Sequence, residues 1–224
     1  MTWEISTLRD LLGATVPKPL SLGRRPRPKS TKVEDYDAGK GTQSVAKLQV
    51  QNFMDATFDL MTAALRSGGL FAALTVLNRR VAQRWTGLYR LTADRHLVNV
   101  ALVDKLGEVC PSDLLSVPYD VSFCQFTLAQ GHFRTDNSAL DDRLTGHPYK
   151  GVINSYHAVP VVNAGGKVRG TLCHFDTDAM PLLDEDFELL RLAARTLPLE
   201  LPRQSLLDAC TTERSTGATS MVHR

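Results

Sequence analysis

Two cysteines and two histidines are the residues of this chain whose types could support chemistry. Cys124 and Cys173 could form a thiol pair, which would favour redox sensing or a thiol-dependent reductase. A free cysteine more often behaves as a small buried hydrophobe, so the structural interpretation of both thiols stays open. His157 and His174 lie in apolar, strand-like segments. On neighbouring strands in the right register they would form a paired-histidine haem or metal site.

Cys173 and His174 are adjacent in the sequence and invite a joint metal site. Successive side chains of a strand point to opposite faces of a sheet, so only one of the two can face a given ligand. With Gly170 and Leu172 on the same face, His174 is also interpreted as a core histidine whose ring nitrogen has a hydrogen-bond partner.

A polar segment offers carboxylates, a guanidinium and an imidazole close together: Asp136, Asn137, Ser138, Asp141, Asp142, Arg143, His147 and Tyr149. Arg143 could clamp a carboxylate or phosphate of a ligand, because the guanidinium forms bidentate hydrogen bonds well. The alternative is that Asp136 caps the following turn and that Asp142 and Arg143 are solvated. No Ser-His-Asp order, P-loop or HExxH motif is present to favour catalysis.

Composition limits the function classes. The 26 basic and 24 acidic residues of the 224 nearly cancel, which makes nucleic acid an unlikely partner. We expect no membrane partner, because no window approaches the eighteen apolar residues of a membrane span and the N-terminus lacks the layout of a signal peptide. The four cysteines have wide spacings that indicate neither a disulfide framework nor a zinc site. We therefore expect a cytoplasmic protein.

Residues 1–44 are predicted to be a disordered basic, proline-rich segment, because alternating prolines and arginines favour extended, self-repelling chain. The alternative is a basic dock for an acidic partner. Residues 202–224 are Ser/Thr-rich and have few core residues, so they are predicted to be a disordered tail. One domain is expected between these segments, at residues 45–201.

Apolar residues recur at three- and four-residue intervals from Val45 to Leu65, which predicts an amphipathic helix. Ser67-Gly68-Gly69 breaks or kinks it, and a second helical run follows from Leu70 to Val81. A long helix before a small sheet domain often packs against a second copy, which predicts a homodimer. The competing interpretation is that both helices cover the domain's own sheet.

Period-two patterns then predict strands at residues 86–91, 97–103, 155–162 and 168–176, arranged as two hairpins. Short elements are expected between the hairpins, including a helix at 123–129 and a strand near 131–136. Asp184 is expected to be the N-cap of a closing helix that ends before Pro198. On the last strand, Leu172 and His174 should share one face and Cys173 and Phe175 the other. Gly170 is expected to permit close approach of a helix or a ligand.

Three segments together resemble the GAF domain family: residues 155–160 with their Val-Pro pair, the Gly-Thr-Leu-Cys-His-Phe-Asp strand at 170–176, and the acidic-capped helix that begins at 183. Ser122-Phe123-Cys124 and residues 134–136 and 141–144 resemble the loops that cover the family's pocket. The resemblance implies an α+β fold, with an antiparallel six-stranded GAF-like (PAS-like) sheet flanked by helices and a cavity under loops.

The resemblance also implies a regulatory module that binds a small molecule and signals through a dimer or a separate signalling protein. The expected ligand-binding residues are Phe123, Cys124, Asp136, Asp141, Arg143, Tyr149, His157, Cys173 and His174. Ligand and cofactor stay unassigned. Bilin attachment has little support, because the Cys-His pair of bilin-binding relatives precedes the Val-Pro strand, whereas here it follows. The alternatives are a thiol enzyme of the methionine sulfoxide reductase type, whose cysteine spacing is absent, and a ligand-free dimerisation scaffold.

Overall fold

A computed structural model describes residues 39–108, 110–163 and 165–197. Most of the predicted N-terminal segment and all of the predicted C-terminal tail lie outside the described residues. Helix α1 spans Gly39–Arg80 and so begins within residues 1–44, the segment predicted to be disordered. The side chains of residues 39–48 and residue 50 lie outside the described part as well.

Helix α1 reverses direction at Gly69. Gly69 has φ 72° and ψ −166°, a conformation outside the helical region that is open almost only to glycine. Arg80 Nη1 donates to Thr57 Oγ1 at 3.2 Å, although 23 residues of straight helix would separate these residues by about 35 Å. The two limbs of α1, residues 39–68 and 70–80, are therefore antiparallel, and the predicted break at residues 67–69 is confirmed.

The second limb packs on the sheet of its own domain, with Ala73, Leu74 and Leu77 fully buried. The first limb buries Met61 but leaves Leu60 59% exposed. The ion pair between Arg80 and Asp186 joins the end of α1 to the closing helix. The interpretation that the helices cover their own sheet is therefore correct for the second limb.

The stretch Gln51–Arg80 is long and apolar enough to cross a membrane by length and composition alone, with a mean hydropathy of 1.5 in its most apolar window. The expectation that no window approaches a membrane span is wrong by this measure. The reversal at Gly69 divides this stretch, and its second limb contributes to the core under the sheet. The apolar composition of that limb is accounted for by packing within the domain.

Six strands form one antiparallel sheet in the described residues, in the spatial order β3-β2-β1-β6-β5-β4. Their bounds are β1 Trp85–Leu91, β2 His96–Asp104, β3 Ser116–Pro118, β4 Phe133–Thr135, β5 Ser155–Val162 and β6 Val168–Asp176. The four strands predicted from period two are present within one or two residues of the expected bounds. The α+β fold class with a six-stranded antiparallel sheet is confirmed.

The remaining helices are α2 Ser112–Leu115, α3 Cys124–Gln130 and α4 Asp184–Thr196. Short 3-10 turns follow at Tyr119–Val121, Ser138–Leu140 and Asp142–Leu144. The closing helix lies where it was predicted, but its N-cap residue is Leu183 and no side chain caps it. Asp184 is the first helical residue, and its carboxylate accepts a hydrogen bond from Arg134 at 2.7 Å.

Alternation along the strands gives the sheet two different faces. Leu172 and Val159 contribute to a core beneath α1 and α4, whereas Cys173 and Tyr156 contribute to a second core on the opposite side. We call the side beneath α1 and α4 the helix face and the opposite side the cavity face. The predicted division of β6 between the two faces is confirmed.

Gly170 lies where β6 meets β1, next to an irregularity in the β1–β2 pairing at Leu88/Tyr89. A Cβ atom at this position would lie 1.9 Å from the backbone oxygen of Tyr89. The close approach predicted for Gly170 is therefore real, but the neighbour is an adjacent strand and not a helix or a ligand.

Candidate functional site

A cavity lies on the cavity face, between the sheet and the segments that cross over it. Its volume is about 40 Å³. This exceeds the roughly 10–15 Å³ that one water molecule needs. Six apolar side chains line it: Leu97, Leu114, Val117, Phe123, Ile153 and Phe175.

Six polar but uncharged residues complete the wall: Tyr89, Ser122, Cys124, Tyr149, Tyr156 and Cys173. Cys124 Sγ lies 3.1 Å from the Tyr156 hydroxyl and accepts a hydrogen bond from Thr171 Oγ1 at 3.1 Å. Cys173 Sγ donates to the Gly87 oxygen at 3.4 Å, and Ser122 Oγ accepts from the Cys124 amide at 3.0 Å. Most polar groups of the wall are therefore bonded to the protein itself.

Aromatic rings fix the shape of the wall. Phe123 has its ring centroid 4.6 Å from that of His147 and 5.4 Å from that of Tyr156. On the other side, Trp85 stacks on Phe175 with centroids 5.4 Å apart. Burial lowers the pKa of His147 to about 4, so its imidazole is neutral at physiological pH.

Cys124 and Cys173 both line this cavity, as their predicted positions in its walls required. Both are free thiols and both are buried. Burial, followed by the nearby Cys124, raises the pKa of the Cys173 thiol well above its usual range. Thiolate is the reactive form of cysteine, so this environment holds Cys173 in an unreactive state.

His157 and His174 face each other directly across β5 and β6. The register that a histidine pair requires is therefore present, but both residues lie on the helix face and neither lines the cavity. His174 Nδ1 is 2.8 Å from Thr86 Oγ1, which accepts a hydrogen bond from Asn78 Nδ2 at 2.9 Å. The interpretation of His174 as a core histidine with a bonded ring nitrogen is confirmed.

His157 is fully buried, and within the part of the chain that the structure describes neither of its ring nitrogens forms a hydrogen bond of ordinary geometry. The nearest carboxylate oxygen, of Asp136, lies 3.7 Å from Nε2. Burial lowers the pKa of His157 to about 4 and that of His174 to about 3. Within the described residues, no group of three or more His, Cys, Asp or Glu side chains is placed to hold a metal ion. The imidazoles of His157 and His174 therefore have no third metal-ligating side chain beside them.

The polar segment predicted to rim the cavity separates into two parts. Tyr149 lines the cavity, whereas Asp136, Asp141 and Arg143 line a distinct, open surface depression. Arg143 forms a bidentate ion pair with Asp141 and donates to the Arg134 oxygen at 2.7 Å, so its guanidinium is already engaged within the protein.

The local capping also differs from the alternative considered for this segment. Asn137 and Asp141 supply the caps, by accepting from the amides of Ala139 and Arg143. The expectation that Asp136 would cap the turn is therefore wrong. A ligand-binding role for Asp136, Asp141 or Arg143 remains a prediction about the depression and not about the cavity.

Sequence reasoning assigned only Phe123, Cys124, Tyr149 and Cys173 among the residues that line the cavity. It missed eight others: Tyr89, Leu97, Leu114, Val117, Ser122, Ile153, Tyr156 and Phe175. Most of these are apolar or aromatic residues on strands, where a cavity wall and a packed core show the same pattern. Alternation places Tyr156 opposite His157, but the sequence does not show which of these two faces carries the cavity.

Similarity to solved structures is consistent with this arrangement. The GAF domain of a phosphoenolpyruvate-protein phosphotransferase from Acinetobacter is 13% identical, with a TM-score of 0.53 over 64% of this chain and 89% of that one. The corresponding domain from Coxiella burnetii is 13% identical, with a TM-score of 0.52 over 70% and 96%. The chain has the GAF fold.

A phycocyanobilin-bound GAF domain of a cyanobacterial phytochrome is also similar, at 14% identity and a TM-score of 0.50 over 72% of this chain and 97% of that one. No protein-family model matches the chain, and a search of curated proteins finds no match. The GAF resemblance seen in the sequence is thereby confirmed at the level of the fold.

Proposed function

We propose that this chain is a small-molecule-binding sensory domain of the GAF type. The observation that carries the proposal is the cavity between the sheet and its covering segments, on the face opposite the helices. Its wall combines aliphatic and aromatic side chains with uncharged hydrogen-bonding groups, and such a mixture is usual in a small-molecule site. The solved GAF domain that binds phycocyanobilin shows that this fold can hold a ligand.

The same strands connect the cavity to the helices. Cys173 and Phe175 line the cavity, while Leu172 and His174 between and beside them pack toward the helix face. A ligand that shifts β6 would thus change the packing beneath α1 and α4. Regulation of this kind requires only that the ligand favours one arrangement of the helices over another.

We further propose that the first limb of α1 pairs with a second copy of the chain, and that a separate signalling protein reads the result. Phe53 and Leu60 are 64% and 59% exposed on this limb, and Phe71 just beyond the reversal is 61% exposed. Large apolar side chains grouped on one helical segment favour association. The reversal at Gly69 and the packing of the second limb within the domain argue against use of this helix as a membrane span.

The ligand-binding part can be tested with a deproteinised cell extract as the probe. We expect the extract to raise the melting temperature of the wild-type protein and native mass spectrometry to show a bound small molecule. Val117→Phe, which fills the cavity, should lose both effects. Val168→Phe, at a half-exposed valine of the β5–β6 hairpin, is the matched control. An extract effect that survives Val117→Phe, or no effect on the wild type, would contradict the proposal.

The dimer can be tested by sedimentation equilibrium. Leu60→Glu should dissociate a wild-type dimer, because it buries a carboxylate in the contact. Leu183→Glu is the matched control, since Leu183 is 60% exposed but lies outside α1. A monomeric wild type, or equal behaviour of the two variants, would refute association through this limb.

The thiol-enzyme alternative is less well supported by the site. Cys173 is held as a buried neutral thiol, and Cys110 has its pKa raised to about 11 by burial. Thiol-dependent reduction of methionine sulfoxide that is abolished by Cys124→Ser or Cys173→Ser would restore that alternative.

A further inference from the structure

The wall of the cavity contains no ionisable group that is charged at neutral pH. Of the described residues that line it, none is Asp, Glu, Lys, Arg or His. Burial raises the pKa of the Tyr156 hydroxyl well above its usual range and also raises that of Tyr149. The tyrosines are therefore neutral hydrogen-bonding groups and carry no charge into the cavity.

Two arginines of the neighbouring segments are committed elsewhere. Arg143 is paired with Asp141 in the separate depression, and Arg134 is bound to Asp184 and the Leu182 oxygen. A carboxylate, that of Asp113, is close enough to Tyr149 to contribute to its raised pKa. A phosphate or carboxylate entering this cavity would lose its hydration without gaining a counter-ion.

The mouth of the cavity limits the size of its occupant. Tyr149 is half-buried, whereas the other residues of the wall are buried. It lies between Gly146 and Gly151, whose φ values of 80° and 73° allow the covering loop its two turns. The volume of about 40 Å³ is below the roughly 150 Å³ of a cavity that binds benzene, so a ring would enter only if side chains of the wall moved apart.

We propose that the cavity takes a small, uncharged and mostly apolar molecule, no larger than a substituted ring, whose one polar group meets the Tyr149 hydroxyl at the mouth. This inference rests on the proposed function and specifies its ligand class. It excludes cyclic nucleotides, free amino acids and phosphorylated metabolites as occupants of this cavity. Cys124, Tyr156 and Cys173, deeper in the wall, already have hydrogen-bond partners within the protein and offer little to a polar ligand.

Benzyl alcohol and benzoate form a matched pair of probes, because they share a ring and differ in charge. We expect benzyl alcohol to bind the full-length protein in titrations followed by Trp85 fluorescence, since Trp85 stacks on Phe175 of the wall. Trp3→Phe is used as the background to leave Trp85 as the single indole. Benzoate and cyclic GMP should bind at least about tenfold more weakly.

Two variants test whether benzyl alcohol binds in the cavity and whether the lack of a positive charge in its wall disfavours benzoate. Val117→Phe should abolish the response to benzyl alcohol by filling the cavity. Val117→Lys should reverse the preference in favour of benzoate, because Val117 is 8% exposed on the edge strand β3 and a lysine there supplies the missing counter-ion. Reversal is an outcome that loss of folding cannot produce.

The possible outcomes separate this inference from the proposed function. Equal or tighter binding of benzoate or cyclic GMP to the wild type, lost in Val117→Phe, would overturn the ligand class while leaving a small-molecule sensor in place. Failure of benzyl alcohol to bind would also overturn the ligand class, even where the cell extract still raises the melting temperature. Failure of both probes and extract would overturn both proposals.

Discussion

The two faces of the sheet bury polar groups in different ways. On the helix face, hydrogen bonds run from Asn78 through Thr86 to His174, and among the described residues the neighbouring His157 forms no hydrogen bond of ordinary geometry. On the cavity face, thiols and hydroxyls pair locally around Cys124. Polar groups join separate elements on both faces, but those of the helix face include two buried imidazoles, whereas those of the cavity face are thiols and hydroxyls.

The difference indicates where each kind of change should be felt. Alterations on the helix face should appear as changes in stability, because they leave buried groups without partners. Alterations on the cavity face should appear first as changes in ligand binding. Three experiments test this division, in order of decreasing expected effect.

The largest effect is expected at Gly170, which belongs to both faces because it sets the spacing of β6 and β1. Gly170→Ala places a Cβ 1.9 Å from the Tyr89 oxygen, so the strands must separate. We expect the free energy of unfolding in urea to fall by about 3 kcal/mol or more. Gly165→Ala in the exposed hairpin loop, where the nearest atom is 3.6 Å away, should change it little. Similar results for the two variants would contradict the close approach.

The buried histidines of the helix face should make stability depend on pH. The folded-state pKa of His157 is about 4, below the ordinary value of 6.5, so the unfolded chain binds more protons between these values. The free energy of unfolding should therefore fall as the pH drops from 6.5 toward 4, by about 3 kcal/mol for this residue.

His157→Leu should flatten this pH profile, measured by chemical unfolding at a series of pH values. The exposed His132→Gln is the control and should leave the profile unchanged. A profile of His157→Leu as steep as that of the wild type would show that His157 is not held neutral in the folded protein.

The smallest effects compare one buried hydroxyl from each face. Thr86→Val breaks the hydrogen bonds to Asn78 and His174 and should cost about 2 kcal/mol. Tyr156→Phe leaves Cys124 with its bond from Thr171 and should cost about 1 kcal/mol. Urea unfolding of both variants checks the order, and the division between the faces fails if Tyr156→Phe is the more damaging.

Much of the fold could be predicted because its signals are local. The alternation at residues 155–162 and 168–176 identified two strands, and the glycines between them identified the hairpin. The break near Gly69 was also predicted, but the sequence did not show in which direction the helix continues after it. An antiparallel return depends on contacts such as Arg80 with Thr57, which are 23 residues apart.

The candidate site was less predictable because it depends on register and on which face a loop covers. From the sequence, a pairing of His157 with His174 depends on the strand register, which the sequence does not fix. The structure has that register, and the pair lies on the helix face. Arg143 was predicted to bind an anionic group of a ligand, but its guanidinium donates hydrogen bonds to the carboxylate of Asp141, two residues earlier. The apolar residues of the cavity wall show the same sequence pattern as residues of a packed core, so the sequence did not identify them.

The reversal at Gly69 also determines how the helical segments are joined. It returns the chain to Arg80, whose guanidinium contacts Thr57 on the first limb and Asp186 in α4. A straight helix of the same 42 residues would be about 63 Å long and could not bring these partners to one side chain. Both limbs of α1 and the closing helix α4 therefore meet at the single side chain of Arg80.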